Sequence, residues 1–590
     1  MSLLADYTAL KPSAPRPDVS RVLQAIIDAP PFGLEESARK QLVQTLLDDL
    51  VKLKKGKESG RLSSPDAAQA LSALKSLGRN RTGAKVLASA ENLIFLLSLS
   101  EQYKDNTDVS CEALRCVANT MLLIEEARAT AIGETVRAGD AAVQLLEKSS
   151  SPDLIFLASR ILFLSTASSA NAAGKLIISF VEDKPASRNL SVVEIIALRL
   201  DSLLVSLLAG TKMARDAMTD LLKFTYNLLA HYPKLADSGK LITLSRGDDK
   251  TLELWSDRLD PLLPALLRAF NTLPPPPHSP IAPPLMHVIH GLIAIPITSS
   301  LRPIWFPPEQ HRSASGSRRT SPTQTPRNLH DSPKESRPGA LDRALNILAA
   351  SRRSLSSRPS SPIPSISLPP PLTYDTVQRA IDLFDVALVH YFPGTGDPDD
   401  ASVRSRARDE ADATIDELLA PITLLCEKLA SADPGARAKI KEWLVPANLD
   451  RSKPLEGRPD ALGRLLRVLQ SVYHSRLKVV VGELLFTMCN SDSMQLIQAV
   501  GYGNVAGFLF NKGIVTGPPD VSADVSGGGL RINPITGAVQ EPYEEPEMTE
   551  EEREEEAERL FVLFDRLERS GAIPPSQNLV RRAIAEGHFG

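Results

Sequence analysis

Apolar residues recur along most of this chain at three- and four-residue intervals. Leu42, Leu46, Leu47 and Leu50 fall at i, i+4, i+5 and i+8, the spacing that keeps one stripe of a helix apolar. Val22, Leu23, Ile26 and Ile27 open the series, and residues 93–99 and 143–146 continue it. Pro152-Asp153 predicts a helix start, since proline suits the first helical position. The helix predicted over 262–273 must end at Pro274-Pro275-Pro276-Pro277, because proline lacks the donor N–H and its ring clashes with the preceding turn. Another follows over 285–295. Gly133, Gly139, Gly174 and Gly210 are predicted to punctuate junctions. Strand-like alternation is nearly absent. Helical spacing resumes at Thr373 and covers 380–389, 414–429, 436–444, 462–472 and 477–488, and Ser491 to Asn511 forms the last packed unit.

Within this pattern one polar design repeats. Glu112 to Asn119 carries Arg115 and Asn119 four apart, and Asp220 to Asn227 carries Lys223 and Asn227 in the same two places. An earlier version holds Lys75 and Arg79. Residues four apart share a helix face. Lys75 precedes Arg115 by 40 positions, Arg79 precedes Asn119 by 40, and Arg160 follows Asn119 by 41. A period near forty in helical sequence predicts an all-α superhelix of armadillo or HEAT type. Such repeats leave one helix of each unit lining a groove. Lys75, Arg79, Arg115, Asn119, Arg160, Lys223 and Asn227 are then a ladder along it. Asparagine is a poor helix former, so its return inside apolar helices points to work for its amide. An amide can donate to and accept from a bound peptide, and Arg or Lys can meet a carboxylate. Solvated charges on outer helices are the plainer reading.

Composition divides the chain. Residues 1–306 and 372–513 are helical repeats; between them, 307–371 is a Pro/Ser/Arg-rich insertion, including Ser313 to Pro322. Such a segment buries too little to offset its ordering entropy, so it is expected to be disordered; only Ala340 to Ala350 has helical spacing. Arg318-Arg319-Thr320-Ser321 matches a basophilic kinase site, a match that Ser-rich sequence commonly produces by chance. Residues 514–590 form a flexible acidic tail, with eleven Glu and one Arg from Glu541 to Glu558. Thr549 and Glu552 read as a capping box for a helix over 549–570. Ala557, Leu560, Phe561, Phe564 and Leu567 then make one apolar stripe.

Apolar residues at 43% can fill a large core, while aromatics at 5% suit helix-on-helix packing. A net charge of −4 and a pI near 6.2 argue against a general nucleic-acid binder. Four scattered cysteines (Cys111, Cys116, Cys426 and Cys489) make no disulfide framework, which predicts a reducing, cytoplasmic setting. Met1 to Val19 lacks the apolar core of a signal peptide, and no run reaches the roughly 18 apolar residues of a membrane span.

Other motifs reduce to bland readings. Gly501-Tyr502-Gly503-Asn504-Val505-Ala506 fits the letters of a dinucleotide fingerprint, but that needs a preceding strand, and helices surround it here. His287 and His290 share a helix with no third ligand nearby, so no metal site is expected. Cys111 and Cys116 read as buried thiols. No catalytic residue, metal or cofactor is predicted.

The C-terminal third carries a resemblance. Gly501 to Leu509 followed by Asn511-Lys512-Gly513, then Ile532-Asn533-Pro534-Ile535-Thr536-Gly537, then Met548-Thr549-Glu550-Glu551-Glu552 leading into Glu558 to Phe564, resemble the signature blocks of the synembryn family. Glu112 to Asn119, Leu221 to Asn227 and Pro454 to Leu469 match in the same order. The resemblance implies a cytosolic guanine nucleotide exchange factor and folding chaperone for heterotrimeric G-protein alpha subunits. It further implies a monomer that works without covalent chemistry, nucleic acid or membrane insertion and is recruited to the cell cortex through its partner. The seven ladder residues match the family's groove motifs, and the resemblance implies that this groove takes the carboxyl-terminal helix of the alpha subunit, promoting GDP release and holding the empty state. It further implies that Leu560, Phe561, Phe564 and Leu567 touch the bound alpha subunit. Family members commonly carry acidic, phosphorylatable Ser/Thr before the Asn-Pro-Ile-Thr-Gly block; here residues 521–529 are short, with Asp520 and Asp524 the only acids nearby. The alternatives are a generic armadillo-type adaptor for extended peptides and a purely structural solenoid.

Overall fold

The computed structural model describes residues 3–30, 33–56, 60–168, 171–183, 190–236, 240–246, 249–276, 278–307, 375–514, 533 and 537–538. Among them the chain forms twenty-four α-helices. The first eight are α1 (Leu3–Thr8), α2 (Arg16–Asp28), α3 (Glu36–Lys54), α4 (Ala67–Leu77), α5 (Arg81–Leu87), α6 (Ala90–Gln102), α7 (Thr107–Leu123) and α8 (Glu125–Ile132). There follow α9 (Ala138–Lys148), α10 (Pro152–Thr166), α11 (Asn171–Glu182), α12 (Val192–Leu208), α13 (Ala214–Leu235), α14 (Leu262–Thr272), α15 (Leu285–Ala294) and α16 (Arg302–Trp305). The last eight are α17 (Thr376–Tyr391), α18 (Ala401–Ala411), α19 (Ile415–Ala432), α20 (Pro434–Leu444), α21 (Ala461–Gln470), α22 (Ser475–Met488), α23 (Ser493–Val500) and α24 (Tyr502–Asn511).

Local chemistry sets many of these bounds. Pro152 opens α10 as expected. The Asn106 side chain accepts from the Val109 N–H and caps α7. Ser191 with Glu194, and Thr414 with Glu417, form reciprocal capping boxes for α12 and α19; each satisfies two donors the helix start leaves open. Gly133 and Gly210 follow helix ends, but Gly139 and Gly174 lie inside α9 and α11, against their expected place at junctions. At Gly139 a Cβ would stand 2.9 Å from the Phe180 ring, so close helix packing explains that glycine.

The helices stack three to a repeat. α4, α7, α10 and α13 each touch the next, and the row continues through α15, α19 and α22. A second row runs α3, α6, α9, α12, α14. One contiguous apolar core runs from Tyr7 to Leu509, the arrangement of an armadillo/HEAT-like superhelix in which each unit buries its apolar face on its neighbours. The all-helical expectation fails at one place: β1 (Lys240–Arg246) and β2 (Asp249–Trp255) pair antiparallel, with Lys240 opposite Trp255 and Arg246 opposite Asp249. The Trp255 indole donates to Asp260 at 2.9 Å and ties the hairpin's end to the helices that follow.

Among the described residues no single helix is long and apolar enough to cross a membrane. All four cysteines are free and buried; burial pushes the Cys111 thiol up to about 11 and that of Cys426 to about 12. The insertion beyond Pro307, the residues Asp520 and Asp524, and the tail helix with Leu560, Phe561, Phe564 and Leu567 lie outside the described residues.

Candidate protein-binding face

The row α4–α7–α10–α13 brings most of the ladder onto one surface, and acids hold it there. Glu112 on α7 takes Lys75 of α4 at 2.6 Å and Arg115 of its own helix at 2.5 Å. Arg115 also reaches Asp153, at the start of α10, at 3.5 Å. One stack further, the buried Asp220 of α13 binds Arg160 of α10 and stands 3.6 Å from Lys223. Four cations therefore meet three carboxylates, and the excess is one positive charge. The compensation is uneven: Lys75 and Arg115 are matched by Glu112 and Asp153, whereas Arg160 and Lys223 share Asp220. The surplus sits at the α10–α13 step.

Aromatic rings floor the same step. Phe156 lies under the Arg160 guanidinium at 5.0 Å, and Phe163 under the Lys223 ammonium at 5.7 Å. Both contacts hold the cation over the face of a ring, where the ring quadrupole attracts it. Tyr226 stands exposed beside them and meets the His290 ring of α15 at 6.0 Å; His287 lies 6.0 Å from His290. Burial, then Lys223 and then His290, lowers the His287 pKa to about 4. Burial and Arg476 lower that of His290. Both rings are neutral at neutral pH and add apolar, hydrogen-bonding surface.

The remaining ladder residues part company. Asn119 is half-buried on α7, and among the described residues its amide has no partner. Asn227 is 9% exposed. Its NH2 donates to Thr166 Oγ1 at 2.9 Å, which spends the amide on joining α13 to α10. The expectation that Asn227 offers its amide to a peptide is thus replaced by an internal strut. Lys75 and Arg79 do not share a helix face either: α4 ends at Leu77 with Gly78 as its cap, and Arg79 lies in the turn beyond. It is exposed there and lines a cavity with Asp28, Arg39 and Ser76. The acids were the residues missed. Their signal was present, because Glu112 precedes Arg115 and Asp220 precedes Lys223 by three, one face of a helix.

The family model described as guanine nucleotide exchange factor synembryn matches residues 70–588. This chain belongs to the synembryn family. The match takes in the whole ladder and the acidic tail. Relatives of the synembryn chain include chaperone Ric-8A of Macaca fascicularis, 32% identical over 172 residues, which is 27% of this chain and 32% of that protein. Chaperone Ric-8A of Mus musculus is 33% identical over 172 residues, with the same shares. Chaperone Ric-8 of Drosophila pseudoobscura pseudoobscura is 29% identical over 185 residues, 29% of this chain and 32% of its own. The aligned stretch thus spans about a third of these relatives' length. A solved structure from work on the interaction between cadherin and beta-catenin aligns over 86% of this chain and 94% of its own, at 14% identity and a TM-score of 0.22. A score that low says nothing of shared architecture.

The motif that fitted a dinucleotide fingerprint is a helix junction. Gly501 ends α23 at a φ of 85° and α24 starts at Tyr502, with helices on both sides. Among the described residues no group of three potential metal ligands forms.

Proposed function

We propose that this chain is a guanine nucleotide exchange factor and folding chaperone for heterotrimeric G-protein alpha subunits. The face built on α4, α7, α10 and α13 takes the carboxyl-terminal helix of the alpha subunit. The carboxyl end of that helix lies at the Arg160–Asp220–Lys223 step, and its apolar side chains lie on Phe156, Phe163 and Tyr226. Arg79 and Asn119 contact the helix from the other side. The observation that carries the reading is the net positive, aromatic-floored step within a chain whose family match covers residues 70–588. An acid-terminated amphipathic helix complements such a surface in charge and in apolar contact.

Exchange needs no covalent step. A partner that binds the nucleotide-free alpha subunit more tightly than the GDP-bound one must weaken GDP affinity by the same factor. Holding the carboxyl-terminal helix away from its sheet supplies that preference, and GTP binding reverses it. The tail's stripe of Leu560, Phe561, Phe564 and Leu567 then covers the opened alpha subunit. The chain acts as a monomer in the cytoplasm and reaches the cell cortex through its partner.

The groove is tested with substitutions that leave the fold intact. Arg79→Gln and Asn119→Ala remove side chains that have no partner among the described residues, and Lys223→Gln leaves Asp220 paired with Arg160. Charge reversal at Lys223 is unsuitable, because it would set a second carboxylate beside the buried Asp220. Each of the three should weaken binding of a synthetic peptide, made as the carboxyl-terminal helix of the alpha subunit, by about 1 kcal/mol, roughly fivefold. Circular dichroism should not change. Unaltered affinity in all three would place the binding face elsewhere.

A further inference from the structure

Two of the sequence blocks that mark the family lie about thirty residues apart in the chain and meet at one point in the fold. That point is the carboxyl end of α23. A helix end leaves its last carbonyls without intrahelical donors, and here two side chains from outside the helix supply them. Asn504, in the glycine block, donates to the Val500 carbonyl at 2.8 Å. Arg451, in the loop after α20, donates to the Ala499 carbonyl at 2.8 Å. The second arm of the same guanidinium donates to the Gly537 carbonyl at 2.7 Å.

Gly537 is tied to Asn533 and Ala538. The Asn533 N–H donates to the Ala538 carbonyl, and the Gly537 N–H donates to the Asn533 carbonyl, both at 2.8 Å. Gly537 has a φ of 70°, and a Cβ there would stand 2.9 Å from the Leu455 side chain and 3.0 Å from the Val500 backbone. Both the backbone angle and the space demand glycine. Ala538 is 7% exposed. Among the described residues no carboxylate pairs with Arg451; burial, and then the charge of Arg458, lower its pKa. A half-buried cation whose partners are two carbonyls from separate segments is costly unless it holds those segments together.

We infer that Arg451, Leu455, Ala499 and Val500 form a built receptor for the chain's own Asn533, Gly537 and Ala538, and that Arg451 is the positioning residue that roots the acidic tail on the last repeat. The rooting has a geometric consequence. Ala538, from which the tail continues in sequence, is held beside the end of α23 through Gly537. That a tail so rooted covers an alpha subunit rests on the function proposed above; the rooting itself does not.

The test is hydrogen exchange on the full chain without any partner. In Arg451→Gln and in Gly537→Ala, the Asn533 and Gly537 amides should exchange at least tenfold faster than in the parent. Peptides from α19 and α22 should be unchanged. Arg451→Lys, which keeps the charge but reaches one carbonyl, should fall between. Unchanged exchange at 533–538 in both variants overturns the inference. If Arg451→Gln also loosens α19 and α22, Gly537→Ala decides: faster exchange confined to 533–538 upholds the receptor, and none overturns it. Weaker alpha-subunit binding by either variant would bear on the tail's role only, so failure of that role leaves the exchange result standing.

Discussion

Asp220→Asn tests how the proposed binding face is held. The carboxylate is 2% exposed and joins Arg160 and Lys223, whose side chains are 31% and 34% exposed. Breaking a fully buried ion pair costs about 3–5 kcal/mol, but these cations keep contact with water. At the 3.6 Å separation of Lys223, the attraction lies between about 1 kcal/mol at the dielectric of water and about 5 kcal/mol at that of a protein surface. The amide keeps the shape and one bond to Arg160, and neutralising Asp220 recovers part of its desolvation. The expected net loss is about 1–2 kcal/mol, a factor of roughly 5–30 in local opening. Native-state hydrogen exchange should show it as faster exchange in α10 and α13. Asp153→Asn is the control, because Asp153 is 36% exposed and Arg115 retains Glu112; it should cost no more than about 0.5 kcal/mol. Parent-like exchange in α10 and α13 of Asp220→Asn, or an equal loss in Asp153→Asn, would refute the view that Asp220 organises this step.

The histidine pair predicts a pH dependence. His287 titrates at about 4 when folded and near its ordinary value of about 6.5 when unfolded, so the unfolded chain takes the proton first as pH falls. The stability held by the neutral ring is complete above about pH 6.5 and is lost toward pH 4, up to about 3 kcal/mol and less to the extent that water reaches the ring. Urea midpoints between pH 7 and 4.5 should fall less steeply for His287→Gln than for the parent; parallel curves would rule the effect out. For the tail, Phe561→Ala with Phe564→Ala should leave the melting temperature unchanged and weaken binding of the nucleotide-free alpha subunit. A lower melting temperature with unchanged binding would show the stripe docked on the chain's own repeats instead.

Much of the architecture was legible because an apolar stripe at helical spacing is a local signal. Leu42 to Leu50, the start at Pro152 and the stop before Pro274 needed no tertiary information. The hairpin at Lys240–Trp255 was lost among helices, because only four residues in each strand, Ile242 to Ser245 and Thr251 to Leu254, alternate apolar with polar. Arg79 was misplaced because a spacing of four puts residues on one face only while the helix continues, and Gly78 stops it. The basic and Asn positions were readable from their period, and Glu112 and Asp220 from their spacing of three, but the partners on other helices were not. Arg160 pairs with an acid sixty positions away, and Asn227 turns to Thr166; both depend on how α10 and α13 stack. Nothing local announces that Arg451, Val500 and Gly537 meet.

An exchange factor loosens nucleotide from an alpha subunit, whereas an adaptor merely grips a peptide. The direct measurement is the rate at which a purified, GDP-loaded alpha subunit releases labelled GDP when the chain is added in excess. Release should run several-fold faster than the intrinsic rate. A stable complex should form without nucleotide and come apart when GTP is supplied. Tight binding with GDP release left at the intrinsic rate would contradict exchange and mark the chain as an adaptor.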